Sequence, residues 1–488
     1  MAEKGITRRS AIQGMGAIGA AALAGGCATT GVGRKMRAVG VGRPARPRDW
    51  REQIVRRVAE TPLVDSHEHL LEEDNRLKRV GDKSKLDDWS YIMDHYLDSD
   101  LLTAGMPRKD HERFFAPGAD PMEKWRLVEP WWPAVRQTGY GQAVAIALRE
   151  LYGVDDLNAQ TVGRVQEQYA ALIRPGFYKK VLVDTAGIDS CQVNSLQRPF
   201  TESRQPELLL QDISFIGMHM GPNLDTYAPT AGIEVRNLAD WHKVIDWWFE
   251  KYGPYAVAVK SQAAYSRDVD FAAVPAADAA PVMKRVLEKD PVSAEERKKL
   301  EDHLFWYCVG KATAHGLPVK IHTGYYAGQN RMPLDVVAKN PGSASRVLRH
   351  AIEKSPETRF VLMHIGYPYY EDMIALAKQY TNCCLDMCWA WIINPAASVQ
   401  FLKHYLVTAP ANKVLTFGGD YIPVEPVVGH AALARNGIAR ALIDLVDEGW
   451  LTVDAALGLV EGVMCGNGRT IFRLEEKKRA VKTAPWIA

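Results

Sequence analysis

Short apolar runs, each broken by turn residues and followed by an amphipathic stretch, recur from residue 62 to about residue 420. The runs are TPLVDSHEH (from Thr61), VLVDTAGI (from Val181), ISFIGMH (from Ile213), YAVAVK (from Tyr255), LPVKIH (from Leu317), RFVLMH (from Arg359), CCLDMC (from Cys383) and VLTFGGD (from Val414). Read as strands, they number eight. Between them lie stretches with helical periodicity, such as LADWHKVIDWWFEKYG, DHLFWYCVGKATAHG and EDMIALAKQY. Strands that alternate with helices predict an α/β architecture, either a closed (β/α)8 barrel or a doubly wound parallel sheet.

Five of the runs end in a residue able to bind a metal: His67 and His69, Lys260, His322, His364 and Asp420. Imidazole and carboxylate together suit zinc and similar ions. Donors scattered this widely converge only where a fold brings the same end of every strand to one place. A (β/α)8 TIM-type barrel does so at its C-terminal mouth, and this decides between the two architectures. His67 and His69 lie two apart on a strand and therefore share a face, with Glu68 on the other. Gly418 and Gly419 precede Asp420, whose carboxylate is placed to complete a metal site and to take a proton from water. Lys260 has three readings: a carbamylated bridge between two metals, a partner for an anionic substrate, or a strand-end salt bridge.

Barrels of this type use about 250 residues. His67 to Asp420 is longer, so an insertion is expected. Residues 75–178, with YIMDHYLDSDLL, MEKWRLVEPWWPAV and GYGQAVAIALRELYG, read as a helical insertion after strand 1 that caps the mouth. A smaller one is the charged, Ala-rich stretch 272–300. The domain division expected is 1–27 leader, 28–50 linker and 51–488 barrel domain. The cap and mouth loops offer Trp131, Trp132, Arg136, Tyr140, Tyr265, Arg267, Tyr325, Tyr326 and Tyr367. Of these, Arg267, Tyr265 and Tyr325 are the substrate-binding candidates, because arginine pairs with carboxylates and aromatic faces suit a sugar acid or aromatic acid. Trp131 and Trp132 also fit simple packing of the cap.

Charge divides unevenly along the chain. Residues 1–50 carry nine Lys/Arg and two Asp/Glu, so the rest holds 51 of the 60 basic and 56 of the 58 acidic residues. The body thus has no basic footprint, and a nucleic-acid partner is not expected. The leader ITRRSAIQGMGAIGAAALAGGC has Arg8–Arg9, a weakly apolar Gly/Ala stretch and small residues before Cys27. It fits a twin-arginine export signal, with Cys27 a candidate lipid anchor, and points to the periplasm. A membrane role beyond that anchor is not expected. The remaining cysteines, Cys191, Cys308, Cys383, Cys384, Cys388 and Cys465, lack CxxC pairing and read as buried free thiols.

The ligand residues in this order resemble the amidohydrolase superfamily, in which strand one supplies HxH, strands five and six a histidine each, and strand eight an aspartate. The likeness covers residues 62 to about 475. FVLMHIGYPYYEDMIALA and VLTFGGDYIPVEP resemble the amidohydrolase-related branch, which is similar to uronate isomerases and metal-dependent decarboxylases. The helical insertion is also similar to that of uronate isomerases, and KSQAAYSRD (Lys260–Asp268) resembles a segment whose Lys, Tyr and Arg lie near the site. The final strand lacks the Thr-Asp-Ser-Arg run of uronate isomerases, and Lys260 departs from mononuclear members.

The resemblance implies a metal-dependent hydrolase that cleaves an amide, ester or lactone of a small carboxylate- or sugar-derived molecule. One or two divalent ions, zinc or manganese, would be held by His67, His69, Lys260, His322, His364 and Asp420. Asp420 and His364 would be the catalytic residues. A uronate isomerase-like or decarboxylase reaction on the same ligands is the alternative. A non-catalytic exported binding protein is the contrasting class, told apart by metal content. A homo-oligomer is expected.

Overall fold

The computed structural model describes residues 48–80 and 88–487. The leader, Cys27 and most of the linker fall outside them. Among the described residues nine parallel strands run in chain order: β1 (Leu63–Glu68), β2 (Ile188–Val193), β3 (Leu209–Gln211), β4 (Ile213–Ser214), β5 (Val259–Ser261), β6 (Val319–Ile321), β7 (Phe360–Leu362), β8 (Cys383–Asp386) and β9 (Val414–Leu415). They are buried along nearly their whole length, as expected where helices cover the outside and side chains fill the inside.

Only Asp212 separates β3 from β4, and it bridges them into one stave: its N–H donates to the Val193 carbonyl, while Val257 N–H donates to Gln211 and Ile213 N–H to Ala258. The last segment returns to the first. Ser66 N–H donates to Phe417 O (3.0 Å), Asp420 N–H to His67 O (2.9 Å) and His69 N–H to Tyr421 O (3.0 Å). Eight staves therefore close into a TIM-type barrel, and all their C-terminal ends point to one mouth.

Two strands differ from their sequence expectation. The run VLVDTAGI is not a strand. Lys179–Thr185 forms a π-helical turn, and the strand follows at Ile188–Val193 (IDSCQV). Val181 and Leu182 are fully buried, and an apolar run of that length serves a buried helix as well as a strand. ISFIGMH yields only the two-residue β4 before the helix Ile216–His219, and Leu209–Gln211 supplies the rest of that stave.

Between β1 and β2 the chain folds into helices at Glu73–Lys78, Leu97–Thr103, Arg108–Phe114, Pro121–Val128, Trp132–Val135, Gly139–Tyr152 and Val162–Leu172. Local chemistry sets their ends. Asp120 accepts from Met122 and Glu123 N–H ahead of Pro121, and Thr138 accepts from Gly141 N–H. Gly153 closes Gly139–Tyr152 at φ 62°. That helix packs on Val427–Asp447 so closely that a Cβ at Gly429 would collide with the Ala143 carbonyl. Trp132 Nε1–H and Arg136 both donate to Asp156, which fixes them within this helical layer.

Candidate metal centre

His67 and His69 stand side by side at the end of β1, their Nε2 atoms 3.4 Å apart. Asp420 Oδ1 lies 3.2 Å from His67 Nε2 and 3.3 Å from His69 Nε2. Donors bonded at about 2.0–2.1 Å to one tetrahedral cation stand roughly 3.4 Å apart, so this triangle has the dimensions of a ligand set. The tautomers agree with it. His69 Nδ1–H donates to the Asn194 carbonyl at 2.7 Å, which leaves the Nε2 lone pair facing the triangle. The donor set of two imidazoles and a carboxylate fits a divalent metal.

Burial pushes His67 well below the usual histidine range and His69 down to about 4, so both rings are neutral and available as donors. Burial raises Asp420 to about 6, opposed by the nearby Lys260 ammonium and the Tyr96 hydroxyl. The backbone at Asp420 is left-handed, φ 62°. Gly419 lets it pass: a Cβ there would strike the Glu68 carboxylate, which itself accepts from Tyr421 N–H at 2.6 Å.

The remaining expected ligands stand at the same mouth with different engagements. His364, just beyond β7, takes a left-handed backbone (φ 61°) and donates from Nδ1 to the Cys388 carbonyl at 3.0 Å; its Nε2 is buried without a partner. His322, just beyond β6, spends Nε2 on the Tyr325 carbonyl at 2.9 Å, with its ring 4.4 Å from that of His364. It falls outside both groups of ligand atoms that cluster tightly here, His67–His69–Asp420 and His364–Cys388–Asp420. Lys260 in β5 is fully buried, its Nζ 2.6 Å from Met363 Sδ, and burial lowers it to about 8.

The substrate-binding candidates divide. Tyr265 places its ring 4.5 Å from that of His322, and the half-buried Tyr325 lies 5.7 Å from Trp389. Arg267 does not face the site with free donors. It donates to Glu301 (3.1 Å), Asp302 (2.6 Å), Asp270 (3.0 Å) and the Asp268 carbonyl, and stacks on Phe271. A cluster of acids from the helix Ala294–Ala314 and its neighbouring loop thus claims the guanidinium expected to hold a substrate carboxylate.

Sequence reasoning missed several groups. Tyr96, from the inserted helices, shares its hydroxyl proton between Asp420 Oδ2 (2.6 Å) and the Asp420 backbone carbonyl (2.7 Å), with its ring stacked against those of Tyr140 and Trp389. Lys320 is wholly buried and bonds Asp212 (2.8 Å), Gln192 (2.8 Å) and the Ser66 carbonyl (2.7 Å) beneath the mouth. It sits two residues before His322, so strand periodicity alone placed it on the inward face. Tyr96 carried no comparable signal. A cavity of about 880 Å³ opens beside His69, walled by the segments 70–75 and 195–204 and by Trp248 and Tyr252.

The chain resembles known proteins in part of its sequence and in its fold. Residues 291–474 match the family described as Amidohydrolase. The chain is 21% identical to the uronate isomerase of Corynebacterium efficiens, over 88% of its own length and 97% of that protein. It is 25% identical to protein fluG of Emericella nidulans, but over 34% of this chain and only 18% of that protein. Among solved structures, the glucuronate isomerase of Caulobacter crescentus superposes with a TM-score of 0.71 at 15% identity, covering 89% of this chain and 96% of the other. The chain is therefore similar to amidohydrolases over residues 291–474, and it shares its barrel fold with the glucuronate isomerase structure.

Proposed function

We propose that the protein is a metal-dependent hydrolase that cleaves an amide, ester or lactone bond in a small carboxylate- or sugar-derived molecule. The coarser statement, an amidohydrolase-superfamily, metal-dependent enzyme acting on small molecules, rests on the family match and the His/Asp donor set. The observation that carries the finer reading is the double engagement of Asp420: Oδ1 points at both imidazoles, while Tyr96 holds Oδ2.

When bound at this triangle, a divalent ion such as zinc or manganese acidifies water and polarises a carbonyl. Asp420, near neutrality and buried, is poised to take the proton released by attacking water and to return it to the leaving group. Tyr96 fixes which oxygen of Asp420 faces the donors. His364 Nε2, buried and unpartnered, is available to a developing oxyanion or to a cation. The rings of Tyr265, Tyr325 and Trp389 flank these groups and suit a planar or sugar-like substrate. The Arg8–Arg9 leader supports export, which would carry a folded, metal-loaded enzyme to the periplasm.

A uronate isomerase-like reaction is the second reading, favoured by the near full-length similarity to the Corynebacterium efficiens protein. Product analysis on a panel of lactones, amides and sugar acids separates the two: hydrolysis yields two fragments or an opened ring, and isomerisation conserves mass. Asp420→Asn, compared at equal metal occupancy, should lower turnover at least about a hundredfold. Unchanged turnover in that variant removes the general-base role.

A further inference from the structure

A pair of histidines meets away from the barrel mouth. His242 lies in the helix Leu238–Tyr252 and His303 in the helix Ala294–Ala314, each half-buried where the two helices pack. Their Nε2 atoms are 3.0 Å apart. His303 Nδ1–H donates to the Val274 carbonyl at 2.8 Å, so its Nε2 carries a lone pair aimed at His242. The His242 ring lies flat on Tyr307, 3.8 Å between centroids and 6° between planes, which fixes its orientation. Tyr307 in turn donates its hydroxyl to Asp246 Oδ1 at 2.8 Å, and Lys311 pairs with the same oxygen at 2.7 Å. Among the described residues His242 bonds only His303, so its Nδ1 is open to carry the ring proton.

Without a cation the two rings share one hydrogen bond, His242 Nε2–H to His303 Nε2. Moving that proton to His242 Nδ1 turns both Nε2 lone pairs to one point and leaves both rings neutral. We propose that His242 and His303 form a site for copper(II) or nickel(II) that clips the two helices together. The spacing selects the ion. With imidazole–metal bonds of about 2.0–2.1 Å, a 3.0 Å separation subtends about 91–97°, the angle between neighbouring ligands of a square-planar or octahedral ion. Tetrahedral zinc asks for roughly 3.4 Å, the spacing of His67 and His69 at the mouth. Burial, and then the neighbouring His303, lowers His242 to about 4, so its ring enters the site without first losing a charge. Water fills the other positions, since Tyr307 and Lys311 claim the Asp246 carboxylate. The site stands apart from the hydrolytic chemistry proposed above and does not depend on it.

Copper(II) titration of the full, untagged chain, zinc-loaded and desalted beforehand, tests this by electron paramagnetic resonance. One equivalent should bind with an axial spectrum whose nitrogen hyperfine pattern reports two equatorial imidazoles, and it should raise the unfolding midpoint. His242→Gln and His303→Gln should each lose that spectrum and that stabilisation, with zinc content unchanged. A spectrum and midpoint response that persist in both variants overturn the site, as does bound copper that shows a single imidazole in the unaltered protein. A chain that takes up no copper overturns it too, and leaves the pair as a hydrogen-bonded strut between helices. Should both variants fail to fold, the imidazole count in the unaltered protein decides.

Discussion

The Tyr96 hydroxyl lies 2.6 Å from Asp420 Oδ2, although the two residues come from the inserted helices and the last barrel segment. The insertion therefore reaches the mouth, where it supplies a hydrogen bond to the carboxylate that the proposed chemistry uses. Removing the hydroxyl with Tyr96→Phe deletes a bond to a charged acceptor, worth about 1.5–3 kcal/mol, so kcat should fall about ten- to a hundredfold. Because Tyr96 also helps hold the Asp420 pKa down, the acid limb of the pH–rate profile should move to higher pH. A profile that stays in place would show that Tyr96 serves packing alone.

Metal binding should depend on pH through Asp420. Burial raises its carboxyl to about 6, so below that pH an incoming cation must displace a proton. His69, lowered to about 4, and His67, lowered further, are already neutral there and add no comparable dependence. Affinity at the His67–His69–Asp420 triangle should rise by about tenfold per pH unit up to pH 6 and then level. Competition titrations against a chromogenic chelator, from pH 5 to pH 8, check this directly.

Arg267 should matter for stability and not for substrate affinity. All three of its guanidinium nitrogens donate, to Glu301, Asp302, Asp270 and the Asp268 carbonyl. Arg267→Met should leave KM within about twofold while lowering the unfolding midpoint, because it strands largely buried carboxylates. A large rise in KM with unchanged stability would return the residue to the substrate.

Lys320 and Asp212 form an ion pair with no solvent exposure inside the barrel. Lys320→Met leaves the Asp212 charge unpaired and should cost about 3–5 kcal/mol, read from chemical denaturation. Asp212 Oδ2 also lies 3.8 Å from His67 Nδ1, and loss of the Lys320 ammonium, which opposes positive charge at His67, should strengthen cation binding in a variant that keeps its fold.

The sequence made much of this legible, for a physical reason. Parallel staves end at one rim, so histidines and an aspartate placed just after apolar runs had a common destination, and His67, His69 and Asp420 meet there. What stayed hidden depended on contacts that strand periodicity does not encode. Tyr96 reaches the site from a helix more than three hundred residues away along the chain. Val181–Val183 looked like a strand because burial in a π-helical turn demands the same side chains. Arg267 followed a strand end, but acids brought in by a later helix compete for it. Cys388 looked like core filling, and only its distances to His364 and Asp420 distinguish it from the other buried thiols.

His67 and His364 have no solvent exposure, and only His69 borders the cavity. A cation seated among them is enclosed on most sides, so its escape should be slow and should depend on motion of the helices at the rim. Chelators should then strip the ion at a rate set by breathing of the protein and independent of chelator concentration. Retention would then be kinetic, with the ion held by the slowness of its release.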